Sequence, residues 1–323
     1  MKTILIVNTR EKECAVWQYG QNLFHALVSK ELFESSQFHF HYCEPKDDSD
    51  LLWVATKVVP DAIIYNWHPN QGGFLKDAPF DVGRVVKNLC VFHEMGWERE
   101  EKFDAVLFSA HPTSVGWPDD CKIWHRVPLL LPQADFLPKP DAKHDPACPW
   151  IGVNGYGGAH ANLAMEQIVK EFDHANVCLH LPPAHYGDAD GRYARIFAEK
   201  CRDLAKDKPG ILVHARHDWM DQDDLLTMLS LNDLNLYLRP TQVAWHGVSA
   251  AMCAALAVKR PMSTNRNPSF RHLWDCQPSV CVEDRSLKEI LATGTKPLEP
   301  VWEQNSTEKF VARIEEILGE LGV

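Results

Sequence analysis

The chain has 323 residues, 45% hydrophobic and 24% charged, with a formal net charge of −11. That length suits two ordinary domains with sizeable cores, and the composition excludes a disordered or low-complexity chain. The acidic balance argues against an extended interface with a nucleic-acid backbone, which clustered Lys and Arg would hold, and no apolar run is long enough to predict a membrane-spanning helix.

The opening MKTILIVNTREKE reads as a first strand over Ile4–Val7, closed by Arg10, Glu11 and Lys12. Its apolar part is too short for a secretory leader, so a soluble, cytoplasmic protein is expected. Gln18–Leu32 follows as an amphipathic helix with Leu23, Phe24, Ala26 and Leu27 on its apolar side. Phe38–Cys43 alternates as a strand, and Ala62–Tyr65, Leu89–Phe92 and Ala105–Phe108 are further short apolar runs. Apolar runs separated by helices predict a parallel sheet covered on both faces. Residues 132–149 are rich in Pro and Asp and read as a linker.

A second series then begins. Strands are predicted at Trp150–Val153, Val177–Leu181, Ile211–His214, Leu234–Leu238 and Val280–Val282. Helices are predicted at Ala161–Phe172, Tyr193–Ala205, Asp223–Leu229 and Ser249–Ala257, and a last one at Phe310–Leu321. The expected organisation is two separately wound α/β domains, 1–140 and 150–300, with residues 301–323 as a helix that packs back on the first. The ten cysteines include no C-x-x-C pair and lie mostly on apolar segments, so they read as reduced core thiols.

The most specific stretch is Leu226–Ser263, LTMLSLNDLNLYLRPTQVAWHGVSAAMCAALAVKRPMS. It resembles the donor-binding half of the retaining GT-B glycosyltransferases, the large family of sucrose, glycogen and lipopolysaccharide sugar transferases. Asn232–Leu238 with Pro240 matches that family's strand, His246–Gly247 its Glu-Gly loop, Ala254–Ala257 its Glu-Ala-Met-Ala helix and Lys259–Met262 its Gly-Lys-Pro-Val. Cys14–Leu27, Asp61–His68, Val91–Glu94 and Glu283–Asp284 resemble other parts of the pattern. The resemblance implies two doubly wound, Rossmann-like domains facing a cleft. It implies transfer of a sugar from a UDP- or GDP-linked donor, with retention of configuration and without a metal or cofactor. The acceptor is open: a glycan, a lipid, a small molecule or a modified nucleic acid.

The chain departs from the family's pattern at two places. His246 and Ala254 stand where a Glu pair is expected, and the turn GVNGYGGAHAN at Gly152–Asn162 lacks the family's Arg and Lys. The alternative is therefore a catalytically silent protein of the same fold that binds a nucleotide or a partner; a nucleotide-sugar epimerase shares the two-domain layout.

Candidate residues follow from position and chemistry. A Gly-rich turn that opens a helix presents free N–H groups to a diphosphate, which points to Asn154, Gly155, Tyr156, Gly157 and Gly158. Arg239 supplies a cation at a strand end, and His246, Gly247, Val248 and Ser249 open the following helix. Arg216, in the group His214, Arg216, His217 and Asp218, is assigned to base or ribose contacts in preference to a metal. On the acceptor side stand Ala15, Val16, Trp17 and His68, with His93 and Glu94 as the pair that orients the acceptor hydroxyl or acts on its proton.

Overall fold

The structure is a computed structural model that describes residues 1–12, 14–33, 36–68, 74–93, 102–109, 123–134, 137, 145, 147–156, 158–183, 187–240 and 247–323. The chain forms two compact units. The first comprises residues 1–131, 246–248 and 304–323; the second comprises 132–245 and 249–303.

The first unit is built on a six-stranded sheet of order β2-β1-β3-β4-β5-β6. Its strands are β1 (Lys2–Val7), β2 (Phe38–Cys43), β3 (Ala62–Trp67), β4 (Lys87–Phe92), β5 (Ala105–Phe108) and β6 (Trp124–Arg126), and every pairing is parallel. Strand side chains alternate between faces, and the two cores divide accordingly. Ile4, Ile6, Ala62, Ile64, Leu89 and Val91 pack with Leu23 and Leu27 of α1 (Ala15–Phe33) and with Phe310, Ile314 and Ile317 of α9 (Thr307–Glu320). Leu5, Val7, Ile63, Tyr65, Cys90 and Phe92 pack on the other face with Leu51 and Ala55 of α2 (Asp48–Val58).

The second unit holds a five-stranded sheet of order β11-β10-β7-β8-β9, again parallel throughout. Its strands are β7 (Trp150–Asn154), β8 (Ala175–His180), β9 (Ile211–Arg216), β10 (Leu234–Tyr237) and β11 (Met262–Thr264). One face is covered by α3 (Ala159–Glu171), α4 (Arg192–Ala205) and α7 (Leu287–Thr293), through Met165, Ile168, Ala198, Cys201 and Leu287. The remaining helices are α5 (Gln222–Ser230), α6 (Ala250–Ala257) and α8 (Glu299–Gln304). α6 is buried along most of its length, which is why its sequence shows no amphipathic period.

Among the departures from the sequence reading, which include the unpredicted α7, α8 and β11, three have a plain physical reason. The strand expected at Val280–Val282 is a single bridge, Thr264 to Cys281, followed by a turn. Helix α2 escapes the periodicity because its apolar run leaves Leu52 and Trp53 exposed beside the buried Leu51 and Ala55; the Asp47 carboxylate, which accepts from the Asp50 N–H, marks its start. β6 has three residues, too few to register a period.

The core role of α9 is testable. Phe310 is 1% exposed among the residues of the first sheet. Phe310→Ala should lower the unfolding free energy by about 3–5 kcal/mol in urea titration, whereas Ser306→Ala, which removes the cap accepting from the Lys309 N–H, should cost about 1 kcal/mol. Equal losses would mean that α9 is held by its end and not by its apolar face.

Candidate functional site

In an open parallel sheet, ligands gather beyond the carboxyl ends of strands where the winding reverses. The first sheet reverses between β1 and β3, the second between β7 and β10. Both places are built from sequence of one kind, an apolar run closed by Asn: ILIVN ending at Asn8, AIIYN ending at Asn66, and WIGVN ending at Asn154.

At the first edge the alternation that sends Ile4, Ile6 and Ile64 toward α1 also sends Asn8 and Asn66 there. Both are buried, at 0% and 1% exposure. Asn8 Nδ2 donates to the Trp17 carbonyl at 3.0 Å and to the Tyr42 hydroxyl at 2.8 Å. Asn66 Nδ2 donates to Asn8 Oδ1 at 2.7 Å and to the Val16 carbonyl at 2.6 Å. Gly20 makes the approach of α1 possible, since a Cβ there would overlap the Asn8 side chain. The network extends outward: the Glu44 carboxylate accepts from the Tyr42 hydroxyl at 2.6 Å, the Trp17 indole at 2.7 Å and Gln21 at 3.0 Å.

His93, just past β4, joins this row. Its Nε2 lies 2.7 Å from Asn66 Oδ1, and the Tyr19 ring meets it edge-on at 4.9 Å. The His68 ring stands 6.5 Å away. Burial, and secondly the neighbouring His68, push the His93 pKa down to about 3, so the ring is neutral near pH 7. Four predicted acceptor-side residues, Val16, Trp17, His68 and His93, are thus brought together. Ala15 lies in the same first turn of α1, and Glu94 lies outside the described residues.

The second edge has a parallel row, His180, Asn154 and Tyr237, on the neighbouring strands β8, β7 and β10. His180 Nε2 lies 3.0 Å from the Asp218 carbonyl, which can only accept, and Nδ1 lies 2.8 Å from the Asn154 amide. Burial lowers the His180 pKa and favours the neutral ring. The Asn154 atom that faces Nδ1 is Oδ1. After this row the chain turns through Gly155, whose φ of 147° only glycine adopts readily, with its N–H on the His180 carbonyl at 3.2 Å. Tyr156 is exposed and stacks on Trp219 at 6.2 Å. Gly158 starts α3 against Phe197; no side chain caps that helix, and its first turn carries no acid.

Arg239 lies just past the end of β10, the strand next to β7, at the same edge. Asn265 clamps its backbone, accepting from the Arg239 N–H at 3.0 Å and donating to its carbonyl at 2.6 Å. Its guanidinium donates to Ser269 Oγ at 3.2 Å and lies 5.8 Å from the Phe270 ring centroid. Arg239 follows β10 and the uncapped start of α3 follows β7, so a cation and a helix N-terminus come after neighbouring strands, and each is a group that suits an anion. Ser249 is buried and caps α6, accepting from the Met252 N–H. Gly247 and Val248 belong to the first unit, where Val248 packs against the α2-side core. Gly157 and His246 lie outside the described residues.

Arg216 lies beside His180, its register partner on the next strand. It ends the edge strand β9, exposed, and pairs with Asp218 at 3.1 Å. His214 is exposed and stacks on Trp150 at 5.4 Å. His39 and His41 share one side of β2, with ring centroids 4.4 Å apart. Among the described residues no group of three or more His, Cys, Asp or Glu could hold a metal ion, and no helix is long and apolar enough to cross a membrane. Sequence reasoning passed over Asn8, Asn66, Glu44, His180, Tyr237 and Asn265; the recurring Asn at the end of an apolar run was the available signal.

No protein-family model matches the chain, and no curated protein is similar to it in sequence. Solved structures are similar in fold. Anabaena HepE in complex with UDP-glucose superimposes with a TM-score of 0.64 at 10% identity, over 99% of this chain and 100% of that one. Sucrose-phosphate synthase from Thermosynechococcus elongatus gives 0.57 at 12%, over 98% and 94%. An α,α-trehalose-phosphate synthase (UDP-forming) from Burkholderia xenovorans gives 0.56 at 10%, over 100% of both chains. The chain has the two-domain α/β architecture of the GT-B fold.

The state of His93 has a measurable consequence. The unfolded chain protonates this ring below its ordinary value of 6.5, while the folded chain does so only near 3. The unfolded state therefore binds more protons in that window, and stability falls as the pH is lowered through it. Denaturant titrations at a series of pH values should show a shallower decline for His93→Gln than for the parent. Parallel curves would mean that the folded protein protonates His93 freely.

Proposed function

We propose that the chain is a glycosyltransferase that takes a sugar from a UDP- or GDP-linked donor. The observation that carries this reading is the pairing, at the β7–β10 reversal, of the Asn154–Gly158 turn with Arg239. The uncapped α3 start and the fixed guanidinium suit a diphosphate. The fold adds support, because the HepE crystal structure holds UDP-glucose.

In this reading the second unit binds the donor and the first binds the acceptor. The bond from the anomeric carbon to the diphosphate breaks, and a bond from that carbon to the acceptor oxygen forms on the same face. The acceptor proton passes to the leaving phosphate, whose charge Arg239 and backbone N–H groups stabilise. Metal-independent transfer and retention of configuration are part of the proposal, tested by turnover in EDTA and by the anomeric form of the product. His93 contacts the transferring sugar or the acceptor hydroxyl, with Glu94 beside it in sequence. Gly157 and Ser249 keep their proposed places at the donor; His246, Gly247 and Val248, also proposed there, cluster with the first unit, and Arg216 is the weakest donor assignment because it stands on the edge strand.

A second reading is favoured by the residues at the family's Glu positions, His246 and Ala254. It is a catalytically silent protein that binds the nucleotide.

Calorimetric titration with UDP, GDP and UDP-glucose separates these readings when paired with an assay of UDP release. Arg239→Ala should weaken the nucleotide that binds by about 10–100-fold, the loss of a charge-assisted contact. Unchanged affinity would remove Arg239 from the site. Saturable binding without UDP release, across glycan, lipid and small-molecule acceptors, would leave the silent reading.

A further inference from the structure

The first-unit network fixes more than the position of His93. Backbone carbonyls can only accept, so the Trp17 carbonyl obliges Asn8 to present its Nδ2 there, 3.0 Å away. Asn8 Oδ1 is then the atom that meets Asn66, at 2.7 Å, and Asn66 must answer with Nδ2. The Val16 carbonyl, 2.6 Å from the same nitrogen, makes the same demand independently. Asn66 Oδ1 is thereby left toward His93 Nε2 at 2.7 Å, and an amide oxygen cannot donate. Two carbonyls in the first turn of α1 thus dictate, through two amides, which nitrogen of His93 carries hydrogen.

We propose that Asn66 is a positioning residue that holds His93 as the Nε2–H tautomer, so that Nδ1 presents a lone pair and accepts a hydrogen bond from a ligand hydroxyl. A ring fixed in this way is an acceptor only. It selects a hydroxyl donor and disfavours a carboxylate or phosphate oxygen, which would meet the lone pair with one of its own. The identification of that hydroxyl as a sugar's rests on the glycosyltransferase reading; the tautomer and the role of Asn66 do not.

Long-range ¹H–¹⁵N correlation spectra of the uniformly ¹⁵N-labelled protein at pH 7 test the proposal, with His93→Gln identifying the signals. The parent should show His93 Nε2 as a protonated, pyrrole-type nitrogen and Nδ1 as an unprotonated, pyridine-type nitrogen. Asn66→Ala removes the acceptor, and Asn66→Ser replaces it with a hydroxyl that can donate or accept. Each should convert the single tautomer into a mixture. A parent spectrum with Nδ1–H, or with both nitrogens protonated, overturns the proposal, and that spectrum alone decides if neither variant folds. Retention of the pure Nε2–H form in a folded variant removes the role of Asn66. If UDP-glucose supports turnover, Asn66→Ala should reduce kcat by roughly tenfold or more, as loss of an orienting partner does, with its KM changed by less than about twofold. Failure of UDP, GDP and UDP-glucose alike to bind would overturn the functional reading while leaving the spectroscopic result standing.

Discussion

A parallel strand that ends inside a protein leaves its last inward-facing side chain beyond the reach of the apolar core and short of open water. Placing a polar group there costs free energy unless it is hydrogen-bonded. This chain meets the constraint in the same way twice. Asn8 and Asn66 satisfy one another and the first turn of α1, and Asn154 meets His180 of the neighbouring strand at 2.8 Å. The ladder sets their spacing, because neighbouring parallel strands place equivalent positions side by side on one face. Rigid sheets therefore hold polar side chains in place at both winding reversals.

The two edges differ in chemistry although they share that plan. The first offers a neutral imidazole, amides and the Glu44 carboxylate, whose acceptors are largely committed to its own donors. The second offers a guanidinium, an uncapped helix start and a glycine-permitted turn. Uncharged hydrogen-bonding groups suit a polyol, and a fixed cation with a helix N-terminus suits a phosphate. A transfer from a phosphate-linked sugar to a hydroxyl needs one of each.

The strands were legible by two signals: Ala105–Phe108 is a continuous apolar run, buried throughout, and Phe38–Cys43 alternates; both match residue for residue. Helix α2 was hidden by an apolar run that continues onto its exposed side at Leu52 and Trp53. Cys281 makes a bridge where a strand was expected, because the run Val280–Val282 passes at once into a turn. At the site, Arg239 and the Gly-rich turn could be singled out by residue type. The importance of Asn66 could not, since an amide gains its meaning from the partners that fix which end points where. The same limit explains Arg216: its residue type suits a nucleotide, and only the strand order reveals that β9 is an edge.

The membership of α9 in the first unit has a consequence for biosynthesis. Residues 304–323 complete a core whose sheet is encoded almost entirely before residue 131, with the bulk of the second unit between them. During translation the α1 side of the first sheet is made early and must wait, with Ile4, Ile64 and Leu89 lacking Phe310 and Ile314, while the second unit emerges and can fold. Domains generally fold as they leave the ribosome, and exposed apolar surface in an incomplete unit invites aggregation. The first unit, although its sheet is synthesised first, therefore has its core completed last, when residues 304–323 have been made.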